Sequence, residues 1–404
     1  MQLASAVVNK SDKTRSNTDG TMQCLIKEDL DKNGLTYVND HAQPQTNLDE
    51  VKIKVLATAV CGTDKSIYTS STNDGIRTEM QRYLQDQPYK PILVGHEFCG
   101  IVQEVGEGAR AASASAPEHL RLEVGDYVTA EMHLACGHCH LCRTGNEHIC
   151  TSVKVKGVHL DGCFAQYVTV PYKNAIMLGK GGDTKIIPPK IGAFLDAFGN
   201  AVHTVSEADV RGKSVAILGA GPLGLMAAAL CRDFGASRIY LTEAADLDRR
   251  FTLAKEFGVN HCIDVNNGSN ELYRAVELNE TGANGVDVVL EMSGSPMAYN
   301  DAFKIVRNGG LVILLGIARK PLNGFDIANG VIWKGVTVKG IFGRRMFDTW
   351  ETMLRLLKND NTGLKERISK VVMDTPFKLA DYQKAFELLV SGKEMKLVFD
   401  PQAQ

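Results

Sequence analysis

The sequence predicts an α/β protein in two parts, a β-rich N-terminal unit followed by a doubly wound parallel sheet. Three observations carry this expectation. Short runs alternate at period two up to about residue 170, the pattern changes at Ser214 to strand, turn and helix, and 404 residues are enough for two cores. Two units imply a cleft. A net charge of -2 gives no long-range attraction to phosphate backbones or anionic lipid, so the expected partner is a small molecule, with neither nucleic acid nor membrane.

Residues 1–21 are polar and lack the apolar core of a secretory signal, so a disordered tail is expected there. From Met22 onward Val51–Val55, Gly100–Val105, Tyr127–Ala130 and Phe164–Val170 read as strands, which leaves Cys61 and His96 on loops between them. The Ala/Ser-rich stretch Ala109–Ala116 reads as a loop, and the polar segment from Thr69 to Pro91 as a mobile flap over the cleft. Cys61-Gly-Thr-Asp64 and Val94-Gly-His96-Glu97 together offer a thiolate, an imidazole and a carboxylate. Three protein ligands with a fourth position open is how catalytic zinc is held; a buried structural cysteine beside an unrelated His-Glu pair is the alternative.

Cys136, Cys139, Cys142 and Cys150 follow a CxxCxxCx7C spacing. Four thiolates so close make a closed tetrahedral site for structural zinc, with an iron–sulfur cluster as the other reading. That set is complete without histidine, which places His138, His140 and His148 on the surface. Cysteines at metal spacing point to a reducing compartment and a cytoplasmic protein.

Ser214–Leu218 is a buried strand, Gly219-Ala-Gly221-Pro-Leu-Gly224 the turn, Leu225–Phe234 a helix, and Arg238–Thr242 a second strand ending at Glu243. In that context GxGxxG is a Rossmann dinucleotide fingerprint: the glycines let backbone approach a pyrophosphate at a helix N-terminus, and the acid holds the ribose hydroxyls. A carboxylate at Glu243 opposes a 2'-phosphate, so NAD is expected over NADP, a preference that Arg249 and Arg250 could soften. Val215–Cys231 is uncharged, but glycines and a proline interrupt it and it is too short to span a bilayer. Further βα units follow at Val286–Glu291, Pro296–Val306 and Gly310–Leu315. Helical patterns at Phe347–Leu357 and Ala380–Val390, then Lys396–Phe399, are expected to return the chain to the first unit. The expected boundaries are 22–190, 191–345 and 346–404.

From about Met22 to Pro401 this combination of motifs resembles the zinc-dependent medium-chain dehydrogenases, which implies a GroES-like catalytic domain joined to a Rossmann NAD-binding domain. Phe198-Gly-Asn-Ala-Val-His-Thr204 and Gly340-Ile-Phe-Gly-Arg-Arg-Met-Phe-Asp-Thr-Trp350 are most similar to the L-threonine 3-dehydrogenases within that superfamily. The resemblance implies one catalytic zinc on Cys61, His96 and Glu97, one structural zinc on the four cysteines, and a homotetramer. It places Thr63, Asp196 and His133 at the chemistry. It puts NAD contacts on Leu223, Glu243, Arg249, Leu315, Gly316, Ile317, Ile341 and Phe342. Ser66 stands where the family has a histidine of the proton relay, and the segments around 69–91 and 109–122 exceed the family norm. The implied reaction is oxidation of a secondary alcohol, with L-threonine going to 2-amino-3-oxobutanoate; a polyol dehydrogenase and a non-catalytic cofactor-binding protein are the alternatives.

Overall fold

The computed structural model describes residues 20–71, 76–84, 90–118, 121–318, 321–322 and 324–403. The expected tail lies outside these residues except for Gly20 and Thr21, and Thr21 is the first residue of a strand rather than of a tail. The N-terminal part runs β1 (Thr21–Lys27), β2 (Thr36–Ala42), β3 (Glu50–Ala59), α1 (Gly62–Tyr68), α2 (Ile76–Leu84), β4 (Ile92–Leu93), β5 (Glu97–Val105) and α3 (Glu107–Ser115). It continues with β6 (Tyr127–Ala130), β7 (His133–Leu134), α4 (His140–Arg143), β8 (Lys154–Val155), β9 (Tyr167–Pro171) and β10 (Ala175–Gly179). β3 is central, antiparallel to both β5 and β9. Its Val51, Ile53 and Val55 pack with Phe98, Val102, Val128 and Phe164 into one core.

One reading of this part changes. Ala109–Ala116 is mostly helix rather than loop, because alanine has the highest helix propensity and Ala109 and Ser113, one turn apart, are buried. Ser113 Oγ also accepts from Leu122 N at 2.9 Å, which ties the helix to the chain beyond it. The expected flap contains α2; residues 72–75 and 85–89 lie outside the described residues.

The second part runs α5 (Pro189–Gly192), α6 (Leu195–Ala208), β11 (Ser214–Leu218), α7 (Pro222–Asp233), β12 (Arg238–Glu243), α8 (Leu247–Glu256) and β13 (His261–Asp264). Then come α9 (Asn270–Asn279), β14 (Val286–Glu291), α10 (Pro296–Ile305), β15 (Val306–Leu314) and β16 (Thr337–Gly340). The six strands are parallel in the order β13-β12-β11-β14-β15-β16. Chain direction across the sheet reverses between β11 and β14, and ligands of such sheets bind in the crevice outside the strand ends at that point. Every residue of β11 is buried, as a strand covered by helices on both faces requires.

The chain then returns through α11 (Asp348–Lys358), α12 (Leu364–Ser369), β17 (Phe377–Lys378), α13 (Tyr382–Val390) and β18 (Val398–Asp400). β18 pairs antiparallel with the end of β3, Val398 opposite Ala59. This carries Lys396 beneath the loop that starts at Val60. Among the described residues no helix is long and apolar enough to cross a membrane.

The turn before β5 is sterically demanding. Gly95 has φ +92°, and a Cβ there would lie 2.2 Å from the Phe164 ring. Its carbonyl fills the space where side chains at Gly157 and Gly162 would be, and accepts from Cys163 N at 2.9 Å. Gly95→Ala is therefore expected to destabilise the fold by about 2–4 kcal/mol in denaturant unfolding, combining the positive-φ cost with overpacking. A loss under about 0.5 kcal/mol would show that the turn relaxes freely.

Candidate active site

Cys61 follows the end of β3 and precedes α1, and its N–H donates to Asp64 Oδ2 at 2.8 Å, closing the first turn. The other Asp64 oxygen lies 3.4 Å from His96 Nδ1, so one buried acid holds the backbone at Cys61 and stands beside the His96 imidazole. With Nδ1 facing Asp64, Nε2 is left for an ion, the usual carboxylate–histidine arrangement of a metal site. Glu97 opens β5 and is buried. One oxygen meets Lys396 Nζ at 2.5 Å, while Oε1 has no hydrogen-bond partner. The donor atoms of Cys61, His96 and Glu97 all lie within 4.8 Å of one another. A buried carboxylate oxygen left unpaired beside a thiol and an imidazole is the donor set a divalent zinc ion fits.

The four cysteines of the second cluster meet the same distance test. Sulfur separations of 3.5, 3.8 and 3.9 Å link Cys139 to Cys142, Cys139 to Cys150 and Cys136 to Cys142. Zn–S bonds of about 2.3 Å in a tetrahedron require edges of about 3.8 Å, so the cradle has the right size. Backbone N–H groups of Cys136, Cys139 and Ser152 point at the sulfurs of Cys150, Cys136 and Cys150. Such bonds, led by the one from His138, pull the Cys136 thiol down to about 6. His138 and His140 are exposed, as expected, but His148 is buried: its ring stands edge-on to His203 of α6 at 5.5 Å. The short helical turn from Glu147 to Ile149 points it inward, which cysteine spacing could not reveal.

At the crevice Gly219 has φ +110°, and a Cβ on Gly224 would strike Gly219 O at 1.9 Å, so both glycines are required by packing. Gly221, the N-cap of α7, has nothing within 4 Å of a built Cβ. That open space beside the free N–H groups of a helix is what a pyrophosphate occupies. Leu223 is in the first turn of α7, Leu315, Gly316 and Ile317 follow β15, and Ile341 and Phe342 follow β16, all at the C-terminal ends of the strands. Ile317 and Phe342 are more than half exposed, apolar surfaces available to a flat ring. Glu243 accepts from Ala220 N at 3.0 Å and from Ala244 N and Ala245 N at 2.7 and 3.0 Å. One expected contact moves. Arg249 is turned away to Lys393 O and Glu394, at 3.1 and 3.0 Å, whereas Arg250 meets Glu243 Oε2 at 2.6 Å. Consecutive residues at a helix start point about 100° apart, so only one of the two arginines can face the acid.

Comparison with known proteins agrees with this geometry. Residues 47–180 match the alcohol dehydrogenase GroES-like domain and residues 222–359 the zinc-binding dehydrogenase domain. The L-threonine 3-dehydrogenase of Caldanaerobacter subterraneus subsp. tengcongensis is 39% identical over 383 residues, covering 95% of this chain and 100% of the relative. That of Legionella pneumophila (strain Corby) is 37% identical, covering 94% and 100%. The chain belongs to the zinc-binding alcohol dehydrogenase family. Among solved structures, 2R,3R-butanediol dehydrogenase from Bacillus subtilis superposes with a TM-score of 0.76 at 25% identity, covering 95% of this chain and 100% of that one. As a zinc-binding alcohol dehydrogenase, the protein is an oxidoreductase that acts on small-molecule alcohols, with a GroES-like unit and a Rossmann sheet.

The other expected residues of this dehydrogenase are distributed as follows. Asp196 lies buried in the first turn of α6, its Oδ1 2.8 Å from Arg344 Nη1. His133 opens β7, with Nδ1 2.8 Å from Glu131 Oε1. Thr63 and Ser66 are half-buried on α1, and Ser66 lines a small cavity with Lys27, Ser70 and Met80. Sequence reasoning missed Glu131, Arg344 and Lys396 as parts of the site. Glu131 accepts from Arg344 Nε and Nη2 at 3.0 and 2.7 Å and from Trp350 Nε1 at 2.8 Å. Burial alone would raise its pKa, but the Arg344 charge and the bond from His133 outweigh burial and hold the carboxyl well below the usual carboxylate range. The only local signal was an acid ending a strand two residues before a histidine.

Arg344 joins Glu131 to Asp196, and lies 213 residues from the first and 148 from the second in sequence. Arg344→Met leaves those acids buried without their shared cation, so a loss of about 3–5 kcal/mol is expected in urea unfolding at pH 7. The sign with pH follows from the depressed pKa. The stability that Glu131 contributes is present above about pH 4.3, the unfolded value, and is lost as pH falls from there through the lower folded value. A variant as stable as the parent would remove this cluster from the fold's supports.

Proposed function

We propose that the chain oxidises L-threonine at its 3-hydroxyl with NAD, giving 2-amino-3-oxobutanoate and NADH. The observation that carries this reading is the gathering of Cys61, His96 and Glu97 at one point, in a chain whose full-length relatives are L-threonine 3-dehydrogenases. Zinc at that point would lower the pKa of an alcohol in the open position, and NAD would accept the hydride. Asp64 fixes the His96 ring, and Lys396 neutralises Glu97. Asp196, anchored by Arg344, and Thr63 are the polar groups through which the hydroxyl proton would leave. Ser66 occupies the place of the family's relay histidine, and a hydroxyl cannot hold a charge near pH 7 as an imidazole can.

That substitution also favours a second reading, a polyol or butanediol dehydrogenase using the same machinery, consistent with the likeness to the B. subtilis enzyme. NADH production on a panel of L-threonine, sorbitol, 2,3-butanediol and ribitol decides between them: turnover of a polyol but not of threonine overturns the first choice.

The finer assignments belong to the same proposal. Two zinc ions per chain, one catalytic and one on Cys136, Cys139, Cys142 and Cys150, are supported by the two donor clusters. NAD over NADP is supported by Glu243, although its pairing with Arg250 narrows the margin. The boundaries at 190 and 345 are part of the proposal, and the pairing of β18 with β3 supports a last segment that rejoins the first unit. All ten cysteines are free, which suits a reducing, cytoplasmic setting. A homotetramer is supported by the exposed edge strand β16, whose Val338 is 42% exposed, and by Ile332 and Trp333 just before it, 65 and 78% exposed.

Metal analysis is expected to return two zinc per chain for the parent and one for Cys61→Ala, which should fold but lose at least ~1000-fold in activity. Cys142→Ser should lose the other ion and melt several degrees lower, because a structural site contributes folding free energy. An active Cys61→Ala protein would refute the catalytic assignment. Glu243→Ser frees Arg250 and removes the ribose acceptor, so NADH should bind about tenfold more weakly and NADPH more tightly, read by fluorescence titration. An unchanged ratio of the two affinities counts against Glu243 as the selector.

A further inference from the structure

Glu291 ends β14 at the point where the sheet order reverses, level with Leu218 of β11 on one side and Leu314 of β15 on the other. Its side chain is fully buried and ties together the turns that border the crevice there. Oε1 accepts from Ser293 N at 2.9 Å, from Ser293 Oγ at 2.6 Å and from Gly294 N at 2.9 Å. Ser293 in turn packs on the glycine turn, where a Cβ built on Gly219 would lie 2.9 Å from its own Cβ. The backbone oxygen of Glu291 accepts from Leu315 N and Gly316 N at 3.0 and 3.1 Å. Oε2 faces Gly316, because a Cβ there would come within 2.5 Å of it, and it has no hydrogen-bond partner among the described residues. Gly316 is itself partly exposed at the end of β15, so one glycine separates the unpaired oxygen from the crevice.

An acid in this setting lacks a counter-charge. Glu97 has Lys396, and Glu131 and Asp196 share Arg344, but among the described residues no lysine, arginine or histidine pairs with Glu291. Burial pushes its carboxyl above the usual carboxylate range, and the hydrogen bonds from Ser293 and Gly294 offset that only in part. A buried carboxylate without a cation is costly, and a cation that arrives with a ligand removes part of the cost. Glu243 faces the adenosine ribose at the end of β12, on one side of β11, so the other half of a dinucleotide crosses the reversal point and lies over the ends of β14 and β15. That half ends in the nicotinamide ring, which carries a positive charge in oxidised NAD and none in NADH. We propose that Glu291 is the counter-charge of the oxidised nicotinamide, so that the crevice holds oxidised NAD more tightly, relative to NADH, than it would without this acid. Once the ring has accepted a hydride it is neutral and the attraction ends, which favours release of the reduced cofactor. The inference rests on the dinucleotide reading of the crevice and is the same for threonine and for a polyol.

The test measures dissociation constants of both cofactor forms without substrate, at pH 8, well above the ordinary carboxylate range. NADH is followed by its fluorescence and oxidised NAD by its competition with NADH. Glu291→Gln keeps an acceptor for Ser293 and Gly294 and removes the charge. Oxidised NAD is expected to weaken at least fivefold more than NADH, because the two forms differ in the ring charge that Glu291 would face. If Glu291→Gln does not fold, Glu291→Met decides, because it fills the same space with an uncharged chain; the same selective loss is expected. Support for the turns alone would weaken both forms alike, so equal losses, or no loss for either form, in whichever variant folds, overturn the role given to Glu291. A parent protein that binds neither oxidised NAD nor NADH overturns the dinucleotide reading itself, and with it the nicotinamide as the partner of this acid.

Discussion

Two buried cations hold this site together, and both arrive from the last third of the chain. Lys396 neutralises Glu97 beneath the metal cluster, and Arg344 bridges Glu131 and Asp196 at its side. Four acids, Asp64, Glu97, Glu131 and Asp196, lie buried here. Without matching positive charge such a group of carboxylates could not stay ionised away from water. The N-terminal unit therefore cannot complete its own site. The return of β18 to β3 and the docking of the loop after β16 are electrostatic necessities as well as packing contacts.

The same logic divides labour at the start of α8. Arg250 faces Glu243 at the end of β12, while its neighbour Arg249 grips Lys393 and Glu394 on the C-terminal segment. One helix turn thus touches both the nucleotide crevice and the part of the chain that delivers Lys396.

Close approach of backbone is the second constraint. Gly95 lets the chain pass under the Phe164 ring and present His96 and Glu97 at the start of β5, while Gly157 and Gly162 crowd against its carbonyl. In the second unit Gly224 packs on Gly219, and Gly221 keeps the helix N-terminus open. In both places small residues bring polar backbone close to where charge is to be handled.

Much of this was legible before folding. Metal ligands at short spacing, a glycine turn between a strand and a helix, and period-two runs are local patterns, and local patterns survive as local geometry. So CxxCxxCx7C, GxGxxG with Glu243, and the strands β11, β12 and β14 could be read directly. The helix α3 was misread because an Ala/Ser-rich run satisfies both loop and helix statistics until Ala109 and Ser113 find something to pack on. His148 and Arg249 were misplaced because side-chain direction within one turn depends on what lies opposite. Glu131, Arg344 and Lys396 could not be recognised at all. Their meaning is a charge balance between segments up to three hundred residues apart, and only the tertiary fold decides which buried acid meets which cation.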